Sequence, residues 1–242
     1  MSRTVVVTGG AKGIGLAIVE RFASLGEDVV ALGRDEAALK RLTVRTAVCD
    51  VTDEAAVTAV FETLGDVDVL VNNAGIAESA PLAKTTRESL TRHLEVNVIG
   101  PFLCTRAVVP RMRERRTGSI ITVASTAGRV GVPYTSAYTA SKHAAVGLMR
   151  AVAAELAGTG VRANAVCPAF VRSDMTIHAI ARIVEKTGRS EAEAESALAS
   201  ASPVARLLEP EEVADAVVFL ASEAATAISG QALVIDGGGV QA

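Results

Sequence analysis

The chain reads as an α/β protein on a single doubly wound parallel sheet of about seven strands, because short apolar runs alternate with helical stretches from end to end. Two further observations support that class. The first apolar run, starting at Thr4, opens into a glycine turn and then an amphipathic helix. Half of the 242 residues (50%) are hydrophobic, which suffices for one large core. No linker, repeat or low-complexity stretch divides residues 1–242, so one domain is expected. Aromatics are only 3% and Trp is absent, so Ala, Val, Leu and Ile must build that core.

Taken in order, TVVVTGGAKGIGLAIVERFASLG is a buried strand, a turn and a helix. Gly9, Gly13 and Gly15 let the backbone bend sharply and approach a pyrophosphate, which would sit against the free N–H groups at the helix start, Ile14 included. A second strand, Asp28 to Leu32, ends in Gly33-Arg34-Asp35. An acid at such a strand tip suits a ribose 2′-hydroxyl, whereas Arg suits a 2′-phosphate. Arg34 and Lys12 together therefore favour NADP(H) over NAD(H). Asp35 reads as the N-cap of a short helix.

Thr46–Cys49 is a short strand, Asp53–Leu64 a helix, and Val67–Val71 a strand that runs into Asn72-Asn73-Ala74-Gly75. A long helical stretch, about Thr86 to Arg115, contains Asn97 and Gly100-Pro101, and Pro101 predicts a kink beside Asn97. Strand Ser119–Val123 leads to Ser125, a loop, and an Ala-rich helix carrying Tyr138, Ser141 and Lys142. Strand Arg162–Val166 follows, then an irregular segment from Pro168 to about Pro203, helix Glu209–Ala221 and strand Ala232–Ile235. Gly237-Gly238-Gly239 reads as tight-turn chemistry.

Tyr138 and Lys142, at i and i+4, share one helix face. A phenol titrates near ~10, and an ammonium one turn away is expected to pull it down. Ser125 is placed to bond the same substrate oxygen, which makes a proton-transfer device for the C–O bond of an alcohol or ketone. Such a pair also arises as a half-buried Tyr beside a solvated Lys, so the pair alone decides nothing.

The whole pattern resembles the short-chain dehydrogenase/reductase family over nearly its full length. Thr8-Gly9-(x)3-Gly13-Ile14-Gly15 looks like its cofactor turn, Asn72-Asn73-Ala74-Gly75 like its strand-four motif, and Asn97, Ser125, Tyr138 and Lys142 match its catalytic tetrad in order. The resemblance implies a Rossmann-type fold, with Tyr138 as acid/base, Ser125 polarising the substrate oxygen, Lys142 on the nicotinamide ribose and Asn97 supporting a water. It also implies that Asp50 and Val51 meet the adenine, and that Pro168, Val171 and Ser173 contact the nicotinamide and phosphates beside Asn73, Ala74 and Gly75. Pro168-Ala169 departs from the family's common Pro-Gly, which matters if that position needs a positive φ. A homotetramer formed through the last helix and strand is expected from the same resemblance.

Residues 169–203 are expected to form the substrate loop and lid. Met175, Ile177, Ile180 and Ile183 give an apolar wall, GRSEAEAESALASAS a surface helix, and Val130, Val132 and Tyr134 line the same cavity. Resemblance is greatest to 3-oxoacyl-thioester reductases and polyketide ketoreductases, so the expected partner is a small-molecule ketone or alcohol, including CoA or carrier-protein thioesters. An NAD-dependent alcohol or 3-hydroxyacyl-CoA dehydrogenase, a silent nucleotide-binding scaffold and a sugar-nucleotide epimerase are the alternatives. The epimerase needs a longer chain and a different glycine turn.

The net charge of −3 and the lack of a basic stripe argue against nucleic-acid or membrane partners. Arg111, Arg113, Arg115 and Arg116 read as a solvated helix end. Cys49, Cys104 and Cys167, with His93, His143 and His178, have no metal-site spacing; the thiols read as core, and the histidines as helix-surface or pocket-lining. With no leader pattern and no apolar run of about 18 residues, a reducing cytoplasm is expected.

Overall fold

A computed structural model describes residues 2–241. Seven parallel strands form one sheet: β1 (Thr4–Thr8), β2 (Asp28–Gly33), β3 (Arg45–Val48), β4 (Val69–Asn72), β5 (Gly118–Val123), β6 (Val161–Pro168) and β7 (Ala232–Ile235), in the order β3-β2-β1-β4-β5-β6-β7. The period of two in a strand divides each apolar run between two layers. Val5, Val7, Val29, Ala31, Val69 and Val71 face α1 (Gly13–Ser24) and α9 (Pro210–Ala221), where Phe22, Ile18 and Val217 fill the space. Val6, Val30, Leu70 and Ile120 face α3 (Glu54–Leu64), α5 (Gly100–Arg115) and α6 (Ser136–Glu155), against Phe61, Met112 and Met149.

The remaining helices are α2 (Glu36–Leu39), α4 (Arg87–Leu94), α7 (Asp174–Thr187) and α8 (Glu191–Ala199). Asp35 caps α2 by accepting from the Ala38 N–H, the role its position predicts. The long helical stretch does break at Asn97, as one π-helical turn over Glu95–Ile99 between α4 and α5. Pro101 sits just after that turn, where its missing N–H interrupts the regular helical bond pattern.

Within the segment expected to be irregular, residues 174–187 are helical, which is a correction, and residues 191–199 form a helix inside the stretch expected as a surface helix. In α8 a capping box closes the start, with Ser190 and Glu193 each bonding the other's backbone. Ala169 is not among the left-handed residues, and its N–H bonds the Ile235 carbonyl at 3.0 Å. The Pro168-Ala169 departure therefore introduces no backbone strain.

Chain order reverses beside β1, where β2 and β4 flank it on opposite sides; the crevice opens at the carboxyl ends of β1 and β4. At the sheet's far edge the glycine run after β7 is a turn, with Gly237 at φ +73° and Gly238 at φ +94°. Asp236, 5% exposed, holds it. Its Oδ1 accepts from Gly238 N at 2.8 Å and Gly239 N at 3.2 Å, and its Oδ2 from Val240 N at 2.7 Å. Asp236→Ala leaves these donors unmatched and is expected to lower the unfolding free energy by about 2–4 kcal/mol. Urea unfolding reads this as a shifted midpoint at constant m; an unshifted midpoint would mean that the turn holds itself.

Candidate active site

The first part of the site grows from the ends of β1 and β4. Thr8 is buried, and its Oγ1 accepts from Asn73 N and Ala74 N, both at 3.0 Å. The Asn73 Nδ2 returns two bonds, to Thr8 O at 3.0 Å and Gly9 O at 3.2 Å. These bonds stitch the two strand ends together and fix the turn. Gly9 (φ +64°) and Gly13 (φ +51°) are left-handed, and a Cβ on Gly15 would stand 2.1 Å from Gly9 O and 2.5 Å from Asn73 Nδ2. Lys12, the N-cap of α1, gives no side-chain cap, so the N–H groups of Gly13, Ile14 and Gly15 are left for a ligand. This cradle, which side chains would fill, fits the pyrophosphate of a dinucleotide. Ser173, the extended N-cap of α7, reaches over it: its Cβ lies 3.4 Å from where a Gly13 Cβ would be. Val171, two residues earlier, is buried and bridges to Leu208, and Pro168 ends β6.

At the tip of β2 the structure qualifies the picture of two free cations. Arg34 Nη1 lies 3.6 Å from Asp50 Oδ2, and Lys12 Nζ 2.8 Å from Asp35 Oδ2. The hydrogen bond to Asp35 raises the Lys12 pKa, and the same bond lowers that of Asp35. For Asp50, partial burial raises the pKa, but bonds from the Thr52 N–H and hydroxyl, with the Arg34 charge, outweigh it and leave it lowered. Both ion pairs are exposed and cheap to exchange for another anion. Val51 is buried against Gly100, where a Cβ would meet its Cγ2 at 2.7 Å. A trough of about 850 Å³ runs from Arg34 and Thr52 past Ile76 to Thr91, Arg92 and Val96.

The second part grows from β5 and α6. Ser125 is half-buried at the strand end and accepts from Ala127 N at 3.1 Å. Tyr138 is half-buried in the first turn of α6. Lys142, 6% exposed, donates to Val123 O at 2.9 Å, and its Nζ lies 5.7 Å from the Tyr138 ring centroid. Asn97, 1% exposed, accepts from Ile76 N at 2.9 Å and donates to Ile76 O at 3.0 Å and Ser141 Oγ at 2.9 Å. Ser141 in turn donates to Tyr138 O at 2.7 Å. Gly75 lies between, with the place of a Cβ 3.1 Å from Asn97 Oδ1 and 3.6 Å from Lys142 Nζ. The four residues of the expected tetrad thus converge, while Arg34, Lys12 and Asp50 stand at the other end of the crevice.

One electrostatic expectation is overturned. Burial pushes the Tyr138 phenol above its ordinary value, with the Ser125 hydroxyl pulling back in part, and Lys142 does not reverse this. The Lys142 ammonium lies toward the ring rather than bonding the phenol oxygen, and burial pushes its own pKa down to about 8. Another reading also changes. Of the two places expected for His93, helix surface or pocket lining, the surface is ruled out: it is fully buried, beside Tyr138 at 6.4 Å between ring centroids. Its i, i+4 relation to Asn97 was the available signal. Tyr134 lines a cavity of about 380 Å³ with Lys84, Arg92 and Arg182, which adjoins the trough at Arg92. Val130 and Val132 do not line it. Among the described residues no helix is long and apolar enough to cross a membrane.

Comparison with known proteins gives a consistent picture. The family described as enoyl-(acyl carrier protein) reductase matches residues 9–239. The chain is 40% identical to 2-(R)-hydroxypropyl-CoM dehydrogenase of Xanthobacter autotrophicus, over 98% of each chain. It is 38% identical to the 3-oxoacyl-[acyl-carrier-protein] reductase MabA of Mycobacterium tuberculosis, over 98% of this chain and 93% of that one. A crystal structure of an actinorhodin polyketide ketoreductase variant with NADPH superposes with a TM-score of 0.93 at 36% identity, covering 100% of this chain and 98% of the other.

Lys142 offers a test of this electrostatic environment. Its ordinary value of 10.5 falls to about 8 in the folded protein. Between those values the unfolded chain binds more protons, so this site makes stability rise with pH across that window and leaves it flat below. The stability of the protein relative to Lys142→Met is therefore expected to improve from about pH 8 to about pH 10 in urea unfolding without added nucleotide. A constant difference would mean that Lys142 titrates normally.

Proposed function

Because this chain belongs to the short-chain dehydrogenase/reductase family and is a short-chain oxidoreductase, we propose that it reduces a ketone to a secondary alcohol with NADP(H), the substrate being a 3-oxoacyl thioester or a related ketone. The observation that carries the chemistry is the buried Lys142 beside the half-buried Tyr138, one residue group away from Ser125 at the end of β5.

The glycine cradle from Gly9 to Gly15 and Ser173 would hold the phosphates, Asn73 to Gly75 and Asp50–Val51 the adenosine, and Lys142 the nicotinamide ribose. The bound cofactor supplies the hydride. Tyr138 then donates its proton to the substrate oxygen, and Ser125 orients and polarises that oxygen. The raised pKa keeps Tyr138 protonated, which is the form that reduction consumes. Lys142 stabilises the phenolate left behind, and Asn97 holds the helix that carries both groups in register. Residues 169–203, mostly α7 and α8, would close over the substrate, with Met175 and Ile177 exposed on the first of these helices. The exposed Phe219 of α9 and Leu233 of β7 fit burial between copies in a homotetramer.

A second reading rests on the acids at the β2 tip. Asp50 and Asp35 already oppose Arg34 and Lys12, which lets a 2′-hydroxyl replace a phosphate there and suits an NAD-dependent alcohol dehydrogenase. That reading accords with the dehydrogenase relative.

Both parts are measurable with a panel of 3-oxoacyl thioesters and simple ketones. Tyr138→Phe is expected to lower kcat by about a thousand-fold or more with the fold intact; retained turnover would move proton transfer to another group. Arg34→Asp is expected to shift the kcat/KM preference from NADPH toward NADH by at least about tenfold. A protein that already prefers NADH establishes the second reading.

A further inference from the structure

We infer that His93 is a positioning residue for the Tyr138 reaction: a neutral imidazole, protonated on Nδ1, that clamps the loop after β4 and braces the Tyr138 ring. The inference rests on Tyr138 being the acid/base.

The partners of the ring leave one protonation state. His93 Nδ1 lies 2.7 Å from Ser89 O, and a carbonyl only accepts, so Nδ1 donates. Nε2 lies 3.1 Å from Glu78 N, and a backbone N–H only donates, so Nε2 accepts. Both bonds form only in the neutral Nδ1–H tautomer. A second proton would set N–H against N–H in a site with 0% exposure.

This side chain works with Asn97. The two stand four residues apart and reach the same loop, where Asn97 takes both backbone groups of Ile76 and His93 takes the N–H of Glu78. Further along, Ala80 N donates to Tyr134 O at 2.8 Å, which ties the same loop to the segment before α6. The imidazole meets the Tyr138 ring edge-to-face, at 6.4 Å and an interplanar angle of 73°, while Lys142 Nζ lies 5.7 Å from the ring centroid. Two groups therefore contact the Tyr138 ring, and only one of them, Lys142, belongs to the expected tetrad. Aiming the phenol matters because a proton donor misplaced by an ångström loses rate rather than affinity.

Two substitutions separate this role from simple packing. His93→Phe keeps an aromatic wall but removes both bonds; His93→Gln offers an oxygen to Glu78 N and an amide to Ser89 O. For folded protein, His93→Phe is expected to lower kcat by about tenfold with the KM for the nucleotide within about twofold, and His93→Gln to recover at least half of the lost kcat. Unchanged kcat in His93→Phe, a loss confined to KM, or no recovery with Gln would overturn the inference. Should His93→Phe fail to fold, ¹⁵N NMR of the histidines in the natural protein still decides: a cationic or Nε2–H His93 at neutral pH overturns it. Tyr138→Phe run alongside separates the two claims, since activity retained there defeats the acid/base reading itself, whereas an inactive Tyr138→Phe with a normal His93→Phe defeats only the positioning role.

Discussion

The carboxyl edge of this sheet depends on one buried carboxamide. Asn97 is almost wholly inside, where an unmatched amide would cost several kcal/mol, and it meets that cost with three bonds to Ile76 and Ser141. Those bonds join pieces of chain that are distant in sequence: the loop after β4, the π-helical turn and the helix that carries Tyr138. The π-helical turn lies at Asn97 itself, where the regular helical bond pattern is interrupted. Gly75 sits beside the same carboxamide, where a Cβ would press on the Asn97 oxygen at 3.1 Å. The position of Tyr138 thus follows from polar satisfaction in the core as much as from apolar packing.

The charges in the crevice fall into two kinds. At the β2 tip, Lys12–Asp35 and Arg34–Asp50 are exposed pairs, screened by water and salt, and each cation exchanges partners at little cost. At the β5 end, Lys142 is buried and its recorded bond is to the Val123 carbonyl. Burial lowers its pKa to about 8. A strongly perturbed group in a crevice marks a site of chemistry rather than of stability. The hydroxyls of a ribose are acceptors of the kind that an ammonium bonds.

Much of this was legible from residue order. The alternation of strands and helices defines the sheet, and the spacing of Gly9, Gly13 and Gly15 after a buried strand defines the cradle, because both are local consequences of period and glycine freedom. The kink at Asn97 was legible through Pro101, although its form as a π-helical turn was not. What escaped depends on contacts between distant segments. His93 reads in sequence as helix-surface or pocket-lining, and the packing of α4 against α6 is what buries it. The direction of the Tyr138 pKa follows from the same burial, which a charge four residues away does not reveal. Of the helices after β6, α8 was expected as a surface helix, whereas α7 escaped although Met175, Ile177, Ile180 and Ile183 recur along it, because its N-cap Ser173 makes no side-chain cap that marks where it starts.

Relatives with different printed names match this chain over nearly its full length at 36–40% identity, so the shared fold does not by itself select a substrate. The difference must lie in what surrounds the substrate. Here Tyr134, 68% exposed, holds a left-handed backbone at φ +66°, a conformation that costs a non-glycine residue about 1 kcal/mol or more. The bond from Ala80 N to its carbonyl anchors that backbone and presents the ring at the mouth of the cavity it shares with Arg182 of α7. Arg182 reaches across to Ser79 O at 3.4 Å, so the helix over the site and the loop after β4 already meet at the cavity's rim. The same loop is held from below by Asn97 and His93. Residues 76–80 thus form one stretch of backbone that lines the Tyr134 cavity and is bonded by Asn97 and His93 near Tyr138.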